Sequence, residues 1–410
     1  MKKTSKERMT EKLTTWSKFG DLGNGGITRR AFEPAEIQAR EEFKKRTEAL
    51  GMTLEIDDIG NLYATYPGKE DLPRIVVGSH MDSVISGGNY DGIYGVLSGL
   101  EAAETIITDK IEMRHPLTVM AWTNEEGSKY EPAMMSSGIV TGKFDKDNMF
   151  AVKDRDSDLT FGKALKDSGW EGEEKYRLNN KDYCAYFEPH IEQGPVLEDG
   201  GFDIGVVKGV VGMVNYDLIF EGVSCHAGTF PQPKRKDALK AASTVILDLW
   251  DKLGAIDDEL VFTFGEIDLK PNVHTVVPNY VKVSLDSRHK DPEVIKQVVD
   301  VIKSIPTEVA GCKVSYEEHW GRSTIDFNKQ MVGYIENSAK ELGYTYHEMY
   351  SGAGHDAQYV ADILPATMLF IPSKDGLSHT VVEYSSPDQT WHGANVLLNA
   401  ILKCDAEFNK

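Results

Sequence analysis

The sequence predicts an α/β fold: a larger domain with a mostly parallel central sheet, interrupted by a smaller α+β domain. Short apolar runs at residues 74–78 and 117–122 are typical of strands that are buried on both faces. A helical segment at 92–107 separates them, and strands that alternate with helices indicate a parallel sheet. From about residue 210 the pattern changes to half-exposed strands, which indicates a second domain built on a different plan.

The elements that precede the first buried strand carry their own local signals. Residues 6–18 and 34–50 are rich in helix formers, and the second segment has Pro34 in its first turn and Gly51 at its end. Residues 54–66 have strand character. We therefore expect two helices and a strand before the buried part of the sheet.

The inserted domain follows the order strand, helix, strand, strand, helix, strand. Its clearest elements lie at residues 214–221, 237–253, 262–267, 281–286 and from Asp291 onward. Asp291 suits an N-cap, and Pro292 with Glu293 suits the first helical turn. After the insertion, a helix at 328–342 is closed by Gly343 and the α/β pattern resumes.

The length and the charge of the chain limit its domain count and its partners. With 410 residues it exceeds one ordinary core, and we expect segments at 1–210, 211–327 and 328–410, the first and last forming one domain. Hydrophobic residues make up 40% of the chain, as in a folded globular protein. The formal net charge of −20 would repel nucleic acid and anionic membranes, so neither is an expected partner.

The cysteines predict a reducing compartment, because they are far apart in the sequence and form no CxxC pair. They are Cys184, Cys225, Cys312 and Cys404. A disulfide framework or a thiolate zinc site is therefore not expected. The basic N-terminal stretch is not followed by an apolar one, and no apolar run approaches the roughly 20 residues of a membrane helix. We expect a cytoplasmic protein.

The segment 78–92 carries the strongest chemical signal. His80 and Asp82 follow a buried strand, where α/β sheets place their ligand sites. Residues two apart in an extended segment point the same way, so Asp82 can accept the second ring N–H of His80 and fix its tautomer. Asp91 lies between glycines before a helix, where a carboxylate can bridge two cations. The alternative is a turn rich in Gly, Asn and Asp with an incidental histidine.

Two adjacent glutamates, Glu125 and Glu126, directly follow the second buried strand. One can ligate a metal while the other, differently oriented, faces the metal-bound water. A metal lowers the pKa of such water, and a nearby carboxylate can then take its proton and pass it to a leaving nitrogen. A solvated acidic loop is the alternative for this motif on its own.

Further candidates lie in glycine-punctuated loops and in the insertion, and each is a weak signal alone. His190 and His379 are candidate ligands, and His355 is placed to contact a substrate. In the insertion, His226 is a candidate to polarise a carbonyl. Arg288 is a candidate to bind a carboxylate in a bidentate way, with a strand-end salt bridge as the alternative. The sequence has neither a GxSxG motif nor a P-loop, which argues against a serine nucleophile and phosphate binding.

Taken in order, these segments resemble the M20 metallopeptidase-like amidohydrolases, most closely their hydantoinase/carbamoylase branch. That branch includes N-carbamoyl-L-amino acid hydrolases, β-ureidopropionases and allantoate amidohydrolases. The resemblance covers nearly the whole chain, from GGITR at 25–29 to DGLSH at 375–379. Between these it runs through GSHMDSVISGGNYDG, NEEGS, HIEQGPVLE, HAGTFP, RKDAL and SGAGHDA. Several motifs in the right order are far more specific than any one of them.

The resemblance implies two divalent metal ions per subunit. Asp91 would bridge both ions. His80 and His190 would complete one site. Glu126 and His379 would complete the other. Ligands of this kind suit Zn, Mn, Co or Ni.

The resemblance also implies the catalytic roles and the assembly. Glu125 would be the general base, and Asp82 would support a ligand from behind. The larger domain would be catalytic, and the insertion would serve as a lid and a dimerisation domain. In relatives, the histidine that matches His226 reaches the active site of the partner subunit, so we expect a homodimer.

Several residues bear on the substrate. Aminoacylase- and dipeptidase-like relatives usually have a carboxylate at the position of His190, so this histidine favours the carbamoylase side. Gln193 is implied as a contact of the ureido group, and Arg288 as a contact of the substrate carboxylate. Thr275 stands where the family usually has an asparagine that helps to hold that carboxylate, and Phe230 also departs from the family pattern. The chemistry is therefore better defined than the substrate.

The leading functional prediction is metal-dependent hydrolysis of an N-carbamoyl-L-amino acid or a related ureido acid. The alternatives are an allantoate amidohydrolase and an N-acyl-amino acid or dipeptide hydrolase of the same superfamily. A non-catalytic protein that binds a small molecule on the same scaffold is a different class of function. Glu125 discriminates against it, because a binding protein has no need of a general base.

Overall fold

The computed structural model describes residues 1–407, which divide into two compact units. The first unit combines residues 1–209 with the chain from Asp326 onward, and the second is Val210–Ile325. The strands are β1 (Thr53–Ile56), β2 (Leu62–Tyr66), β3 (Arg74–His80), β4 (Leu117–Trp122), β5 (Tyr183–Ile191), β6 (Ile204–Val210), β7 (Gly212–Glu221), β8 (Val261–Thr263), β9 (Ile267–Lys270), β10 (Tyr280–His289), β11 (Glu308–Val309), β12 (Cys312–Arg322), β13 (Ile325–Asp326), β14 (Tyr346–Ser351) and β15 (Ala366–Ile371).

The helices differ in length from five residues to twenty-one. They are α1 (Lys6–Trp16), α2 (Pro34–Ala49), α3 (Ile93–Thr108), α4 (Met135–Val140), α5 (Lys146–Phe150), α6 (Phe161–Ser168), α7 (Val196–Gly200), α8 (Ala238–Gly254), α9 (Pro292–Lys303), α10 (Lys329–Leu342), α11 (Asp356–Val360) and α12 (Pro387–Glu407). None of the helices within residues 1–407 is long and apolar enough to cross a membrane.

The sheet of the first unit has a parallel centre and antiparallel sides. Its strand order is β1-β2-β4-β3-β5-β15-β6-β13, with β14 also paired to β6. Strands β4, β3, β5 and β15 run parallel, whereas β2 and β6 pair antiparallel to their neighbours. The parallel strands are buried along almost their whole length, as expected where helices cover both faces. The predicted α/β fold is confirmed.

The single strand predicted at 54–66 is in fact two strands, β1 and β2, that pair antiparallel. The turn between them is set by Asp57, whose carboxylate accepts the main-chain N–H groups of Ile59 and Asn61, both at 2.9 Å. Gly60 in this turn has a φ of +89°, a conformation that favours glycine. A local side-chain turn therefore interrupts the strand pattern.

The second unit is an antiparallel sheet covered by two helices. Its strand order is β11-β12-β7-β10-β8, with β9 also paired to β10. Helices α8 and α9 pack against β7 and β10 around a core rich in Val, Leu and Ala. The side chain of Asp291 caps α9 by accepting the N–H of Glu293 at 2.9 Å, as its position before Pro292 predicts. This arrangement is the α+β domain that the sequence indicated.

Helix ends of the first unit also follow local signals. Asn328 caps α10 through its side-chain oxygen, and Gly343 ends that helix with a φ of +77°.

Helices α3 and α12 pack on the sheet and contact each other. The parallel strands β3, β4, β5 and β15 present their carboxyl ends at one edge of the sheet, where the loops that follow them converge. Ligand sites of open α/β sheets lie at this edge.

Candidate metal centre

The five predicted ligands converge at the carboxyl edge of the parallel strands. Their positions are the last residue of β3 (His80), the residue two before α3 (Asp91), the loop after β4 (Glu126), the end of β5 (His190) and the loop after β15 (His379). They form two groups, His80–Asp91–His190 and Asp91–Glu126–His379. Within each group, the ligand atoms lie within 4.8 Å of one another. The fold therefore gathers all five candidates.

The first group is fully buried. Asp91 Oδ1 lies 3.1 Å from Nε2 of His190 and 3.5 Å from Nε2 of His80. The two imidazole rings are 5.9 Å apart between their centroids. One carboxylate oxygen and two imidazole nitrogens thus face a common point.

The second group uses the other oxygen of the same carboxylate. Asp91 Oδ2 lies 3.3 Å from Nε2 of His379, and that nitrogen lies 3.3 Å from Oε2 of Glu126. The remaining oxygen of Glu126, Oε1, is buried and has no hydrogen-bond partner among the residues that the structure describes. Asp91 is therefore shared between two ligand groups, as expected of a bridging carboxylate.

The histidines of the first group are oriented for metal binding. Nδ1 of His80 lies 3.0 Å from the main-chain oxygen of Asp82, and Nδ1 of His190 lies 3.0 Å from that of Ile191. A carbonyl oxygen only accepts hydrogen bonds, so each Nδ1 carries a proton, and Nε2 is the nitrogen of each ring that faces the centre. Nε2 of His190 also accepts the main-chain N–H of Gly92, at 3.1 Å. Together with the unpartnered Glu126 Oε1, these tautomers make the donor sets a good fit for divalent cations.

Asp82 supports the centre in a different way from the one predicted. Its carboxylate lies 3.8 Å from Nδ1 of His80, and its main-chain oxygen takes the place of the predicted carboxylate acceptor. The carboxylate instead accepts the main-chain N–H groups of Glu125 at 3.1 Å and Glu126 at 3.2 Å. The strand ends at His80, so Asp82 lies outside the regular alternation of side chains along β3. Asp82 thus holds the loop that carries both glutamates.

Gly92 is required by its position beside two ligands. Its φ is +64°, and a Cβ at this position would lie 2.3 Å from the ring of His80. Any larger residue would therefore displace that imidazole or the backbone that follows Asp91.

Glu125 is buried beside the first group. Its Oε2 lies 3.4 Å from Nε2 of His80, and 7% of the residue is exposed. Burial raises the pKa of Glu125 well above its ordinary value, against the opposing charge of His80. Asn124 and Gly127 flank the two glutamates with positive φ values of 56° and 63°, so the main chain turns sharply here. Each of the adjacent side chains therefore has its own place, as predicted.

The charges of the centre shift the pKa values of its members in opposite directions. Burial alone would raise the pKa of Asp91, but the surrounding imidazoles, first that of His190, hold it well below its ordinary value. Burial and the charge of Asp91 raise the pKa of Glu126 to about 8. The hydrogen bond with Asp91 raises the pKa of His379 to about 9. Both groups hold protons at neutral pH, and a bound cation would displace them.

Gln193 and His355, both expected near the substrate, lie at the centre in the first unit. Nε2 of Gln193 donates to Asp91 Oδ2 at 2.7 Å, and its amide oxygen is buried without a hydrogen-bond partner among residues 1–407. His355 is buried, with its ring centroid 4.5 Å from that of His190 and its Nε2 2.9 Å from the hydroxyl of Ser351. Gln193 therefore donates a hydrogen bond to the candidate ligand Asp91 and keeps its amide oxygen as an acceptor.

The remaining predicted residues, His226, Thr275 and Arg288, lie in the second unit. His226 is exposed, and its Nδ1 accepts the N–H groups of Gly228 and Thr229 at 3.0 and 3.2 Å. The neutral ring therefore carries its proton on Nε2, which is left as a donor. Thr275 is adjacent, because its main-chain oxygen accepts the N–H of Ala227 at 2.9 Å.

Arg288 lies on β10 and is partly exposed. Its Nε donates to Asp286 Oδ1 at 2.8 Å, so the strand-end salt bridge considered from the sequence is present. Its Nη2 lies 3.4 Å from the other carboxylate oxygen, Oδ2, so the pair uses both oxygens of Asp286.

A third group of acidic residues and histidine, Asp257–Glu259–His289, lies in the second unit. Nδ1 of His289 accepts the N–H of Asp291 at 2.9 Å, so the neutral ring carries its proton on Nε2. That nitrogen faces Asp257 at 3.4 Å, while Glu259 is paired with Lys290. This group is a set of polar contacts and lacks the tautomer of a metal ligand.

Two buried carboxylates behind the centre were missed by the sequence analysis. Glu188 accepts the hydroxyl of Ser79 at 2.9 Å and the main-chain N–H of Ala357 at 2.7 Å. Asp356 accepts the hydroxyl of Ser137. Glu188 is two residues before His190 on the same strand, and this spacing of two was the available signal.

The model of the peptidase family M20/M25/M40 matches residues 76–403. An N-carbamoyl-L-amino-acid amidohydrolase of Rhizobium meliloti is 32% identical over 98% of this chain and 97% of the relative. An allantoate amidohydrolase of Bacillus subtilis is also 32% identical, over 97% of each chain.

Among solved structures, the chain is similar to an amidase of the hydantoinase/carbamoylase family from Burkholderia multivorans. The two share 35% sequence identity over 99% of each chain, with a TM-score of 0.89. These findings confirm the resemblance inferred from the motifs. The chain belongs to the M20/M25/M40 peptidase family, and it is an amidohydrolase of the hydantoinase/carbamoylase branch.

Proposed function

We propose that this enzyme hydrolyses a C–N bond of an N-carbamoyl-L-amino acid or a related ureido acid, using two divalent metal ions. The observation that carries the proposal is the pair of ligand groups that share Asp91, with Glu125 buried beside them. A relative that is 32% identical over nearly the whole chain is named for the first of these substrates.

The two groups would hold Zn, Mn, Co or Ni, because imidazole and carboxylate ligands suit these ions. When bound, such ions lower the pKa of a coordinated water and polarise a carbonyl oxygen. His80, Asp91 and His190 would hold one ion. Asp91, Glu126 and His379 would hold the other.

Glu125 is the proposed general base. Burial raises the proton affinity of its carboxylate, and two bound cations nearby would keep that carboxylate ionised until it takes the proton of the attacking water. The proton then passes to the leaving nitrogen, which departs as an amine or as ammonia. Asp82 fixes the main chain of Glu125, which keeps the carboxylate in place through both transfers.

The ureido group and the carboxylate of the substrate need separate partners. The unpartnered amide oxygen of Gln193 can accept a hydrogen bond from a ureido N–H, with His355 as a neighbouring contact. In the second unit, Arg288 would bind the carboxylate, and Thr275 takes the place of the usual asparagine. His226, with its proton on Nε2, would donate to the oxyanion from the partner subunit.

Allantoate is a second candidate substrate, because the allantoate amidohydrolase of Bacillus subtilis is as similar to this chain as the carbamoylase of Rhizobium meliloti. Identity alone does not choose between them. Both substrates carry a ureido group and a carboxylate, so the same residues serve either reaction.

The test is ammonia release from N-carbamoyl-L-amino acids, β-ureidopropionate and allantoate. The enzyme is first stripped by a chelator, and Mn, Co, Ni or Zn is then restored. Metal-dependent ammonia release from one member supports the proposal and names the substrate group. Cleavage of N-acyl-amino acids or dipeptides alone would refute the ureido proposal.

The homodimer is a further proposal, made through the second unit. Leu247 and Trp250 on α8 are 67% and 55% exposed, and Val261 on the edge strand β8 is 62% exposed. An edge strand beside apolar side chains suits pairing with the same strand of a second copy. Sedimentation of the Leu247→Glu variant checks this: a monomer supports the interface, and an unchanged dimer contradicts it.

We also propose a cytoplasmic location. The four cysteines are unpaired in the structure, which suits a reducing compartment. Fractionation of cells that express the chain, with detection of the protein in each fraction, tests this placement.

A further inference from the structure

Glu383 lies in the loop that carries His379, and only 4% of it is exposed. Its two carboxylate oxygens take part in three hydrogen bonds. Oε1 accepts the main-chain N–H of Tyr90 at 2.9 Å and that of Asp91 at 3.1 Å. Oε2 lies 2.9 Å from the hydroxyl oxygen of Ser378. One buried carboxylate thus joins the loop after β15 to the main chain of the shared ligand.

Gly88 shows how closely the two loops approach. A Cβ at this position would lie 2.2 Å from Oε1 and 2.3 Å from the Cβ of Glu383. Only glycine at position 88 leaves room for the side chain of Glu383, whose Oε1 accepts the N–H groups of the residues two and three positions after Gly88. The ring of Tyr384 packs edge-on against that of Tyr90 at 5.9 Å, which adds a second contact between the loops.

Ser378 extends the contact to the side chain of Asp91. Its hydroxyl oxygen lies 2.8 Å from Asp91 Oδ2 and 2.9 Å from Glu383 Oε2. Glu383 therefore contacts Asp91 directly at the main chain, and the two carboxylates share the hydroxyl of Ser378, whose single hydrogen is donated to one of them at a time. Ser378 directly precedes His379 in the sequence. Its contact with Asp91 therefore also restrains the main chain at His379.

The two ligand groups depend on this contact to different degrees. His80 and His190 are held by strands and by their own main-chain carbonyl contacts. His379 lies in a loop, has a φ of +55° and leaves half of its side chain exposed. Its position relative to Asp91 therefore relies on contacts between the two loops.

We infer that Glu383 is a positioning residue that sets Asp91 and His379 at the right separation for the second metal ion. The inference rests on the proposed metal centre and adds a residue to it. Loss of Glu383 should weaken the Asp91–Glu126–His379 site much more than the His80–Asp91–His190 site. Outer contacts of metal ligands typically change affinity by about 10- to 100-fold, and we expect a loss of that size at one site only.

The experiment is a cobalt titration of the full-length, chelator-stripped protein. Co²⁺ affinities are measured for each equivalent by competition with a chromophoric chelator, and the visible absorption of bound Co²⁺ reports the geometry of its ligands. For Glu383→Ala we expect one unchanged equivalent and one that is weakened about 10- to 100-fold, with an altered absorption band. Glu383→Gln should recover part of the loss, because its amide oxygen still accepts both main-chain N–H groups.

The matched control is Glu198→Ala. Glu198 also accepts a main-chain N–H in the loop after β15, that of Asp375, but it is exposed and contacts no proposed ligand. It should leave both affinities unchanged. Ser378→Ala keeps the main-chain contacts and tests the side-chain link alone, so it decides the matter if Glu383→Ala does not fold.

The outcomes are separable from those of the metal proposal itself. If the unaltered protein binds no Co²⁺, the proposed metal centre fails. If it binds two equivalents and both Glu383→Ala and Ser378→Ala bind them with the same affinities and spectra, the positioning role is refuted. Equal weakening of both equivalents would also refute it, since that result indicates a general structural role.

Discussion

The two halves of the proposed metal centre are built from different kinds of structure. The His80–Asp91–His190 half lies at the ends of two parallel strands, and its side chains are almost completely buried. The Asp91–Glu126–His379 half is formed by loops, and half of the His379 side chain is exposed. The first half is ordered by the sheet, whereas the second is ordered by hydrogen bonds between loops. The comparison predicts that the buried half, His80–Asp91–His190, is rigid and exchanges its ion slowly. It predicts that the open half, Asp91–Glu126–His379, is adjustable.

Asp91 belongs to both halves, so its loss should give the largest effect. We expect Asp91→Ala to lower kcat/KM by about 10⁴-fold or more, because water activation and electrostatic stabilisation, each worth roughly 10²-fold or more, are both lost. Metal analysis of the purified variant should find neither ion at stoichiometric level. A variant that keeps one ion at full affinity would show that the halves do not share this ligand.

Glu125 lies beside the buried half without belonging to either ligand group. We expect Glu125→Gln to lower kcat by about 10²- to 10⁴-fold, because the amide cannot accept a proton, while both ions stay bound. Steady-state kinetics and metal analysis on the same sample check both parts. Normal turnover in this variant would contradict the proposed general base.

The halves themselves are compared by removing one histidine from each. We expect His379→Ala to lose the ion of the open half. The affinity of that half for the ion should fall by at least about 100-fold, since a ligand contributes more than an outer contact does. The buried ion should remain. His190→Ala should show the reverse order of loss. Metal titration of both variants checks this, and loss of both ions in each variant would show that the halves are one cooperative site.

One candidate of the first half could be located from the sequence because it ends a buried strand. A buried apolar run locates the end of β3, and the strand end locates His80 by elementary geometry. The same reasoning located two residues outside this half, because Glu125 and Glu126 directly follow β4. His190 lies within β5 itself, and its role came from the family resemblance.

The contacts that complete the open half could not be predicted, because they join distant parts of the chain. Glu383 meets Asp91 across 292 positions, and Ser378 does so across 287. Neither has a local signal of its own. The predicted contact between the carboxylate of Asp82 and Nδ1 of His80 was also wrong in detail. The main-chain oxygen of Asp82 is closer to that nitrogen than the carboxylate is, because β3 ends at His80 and its alternation of side chains does not continue.

The pH dependence of metal binding gives the smallest effect and bears on the open half. Without metal, the pKa of Glu126 is raised to about 8 and that of His379 to about 9, so both are protonated at neutral pH. A cation needs both in their deprotonated forms, so its affinity should rise with pH and level off above about 9. Each proton that must leave accounts for a change of about 10-fold per pH unit below its pKa. Calorimetry of Co²⁺ binding in buffers of different ionisation enthalpy counts these protons. Fewer protons should be released by His379→Ala, and an equal number in both proteins would show that the open half is not where the protons are held.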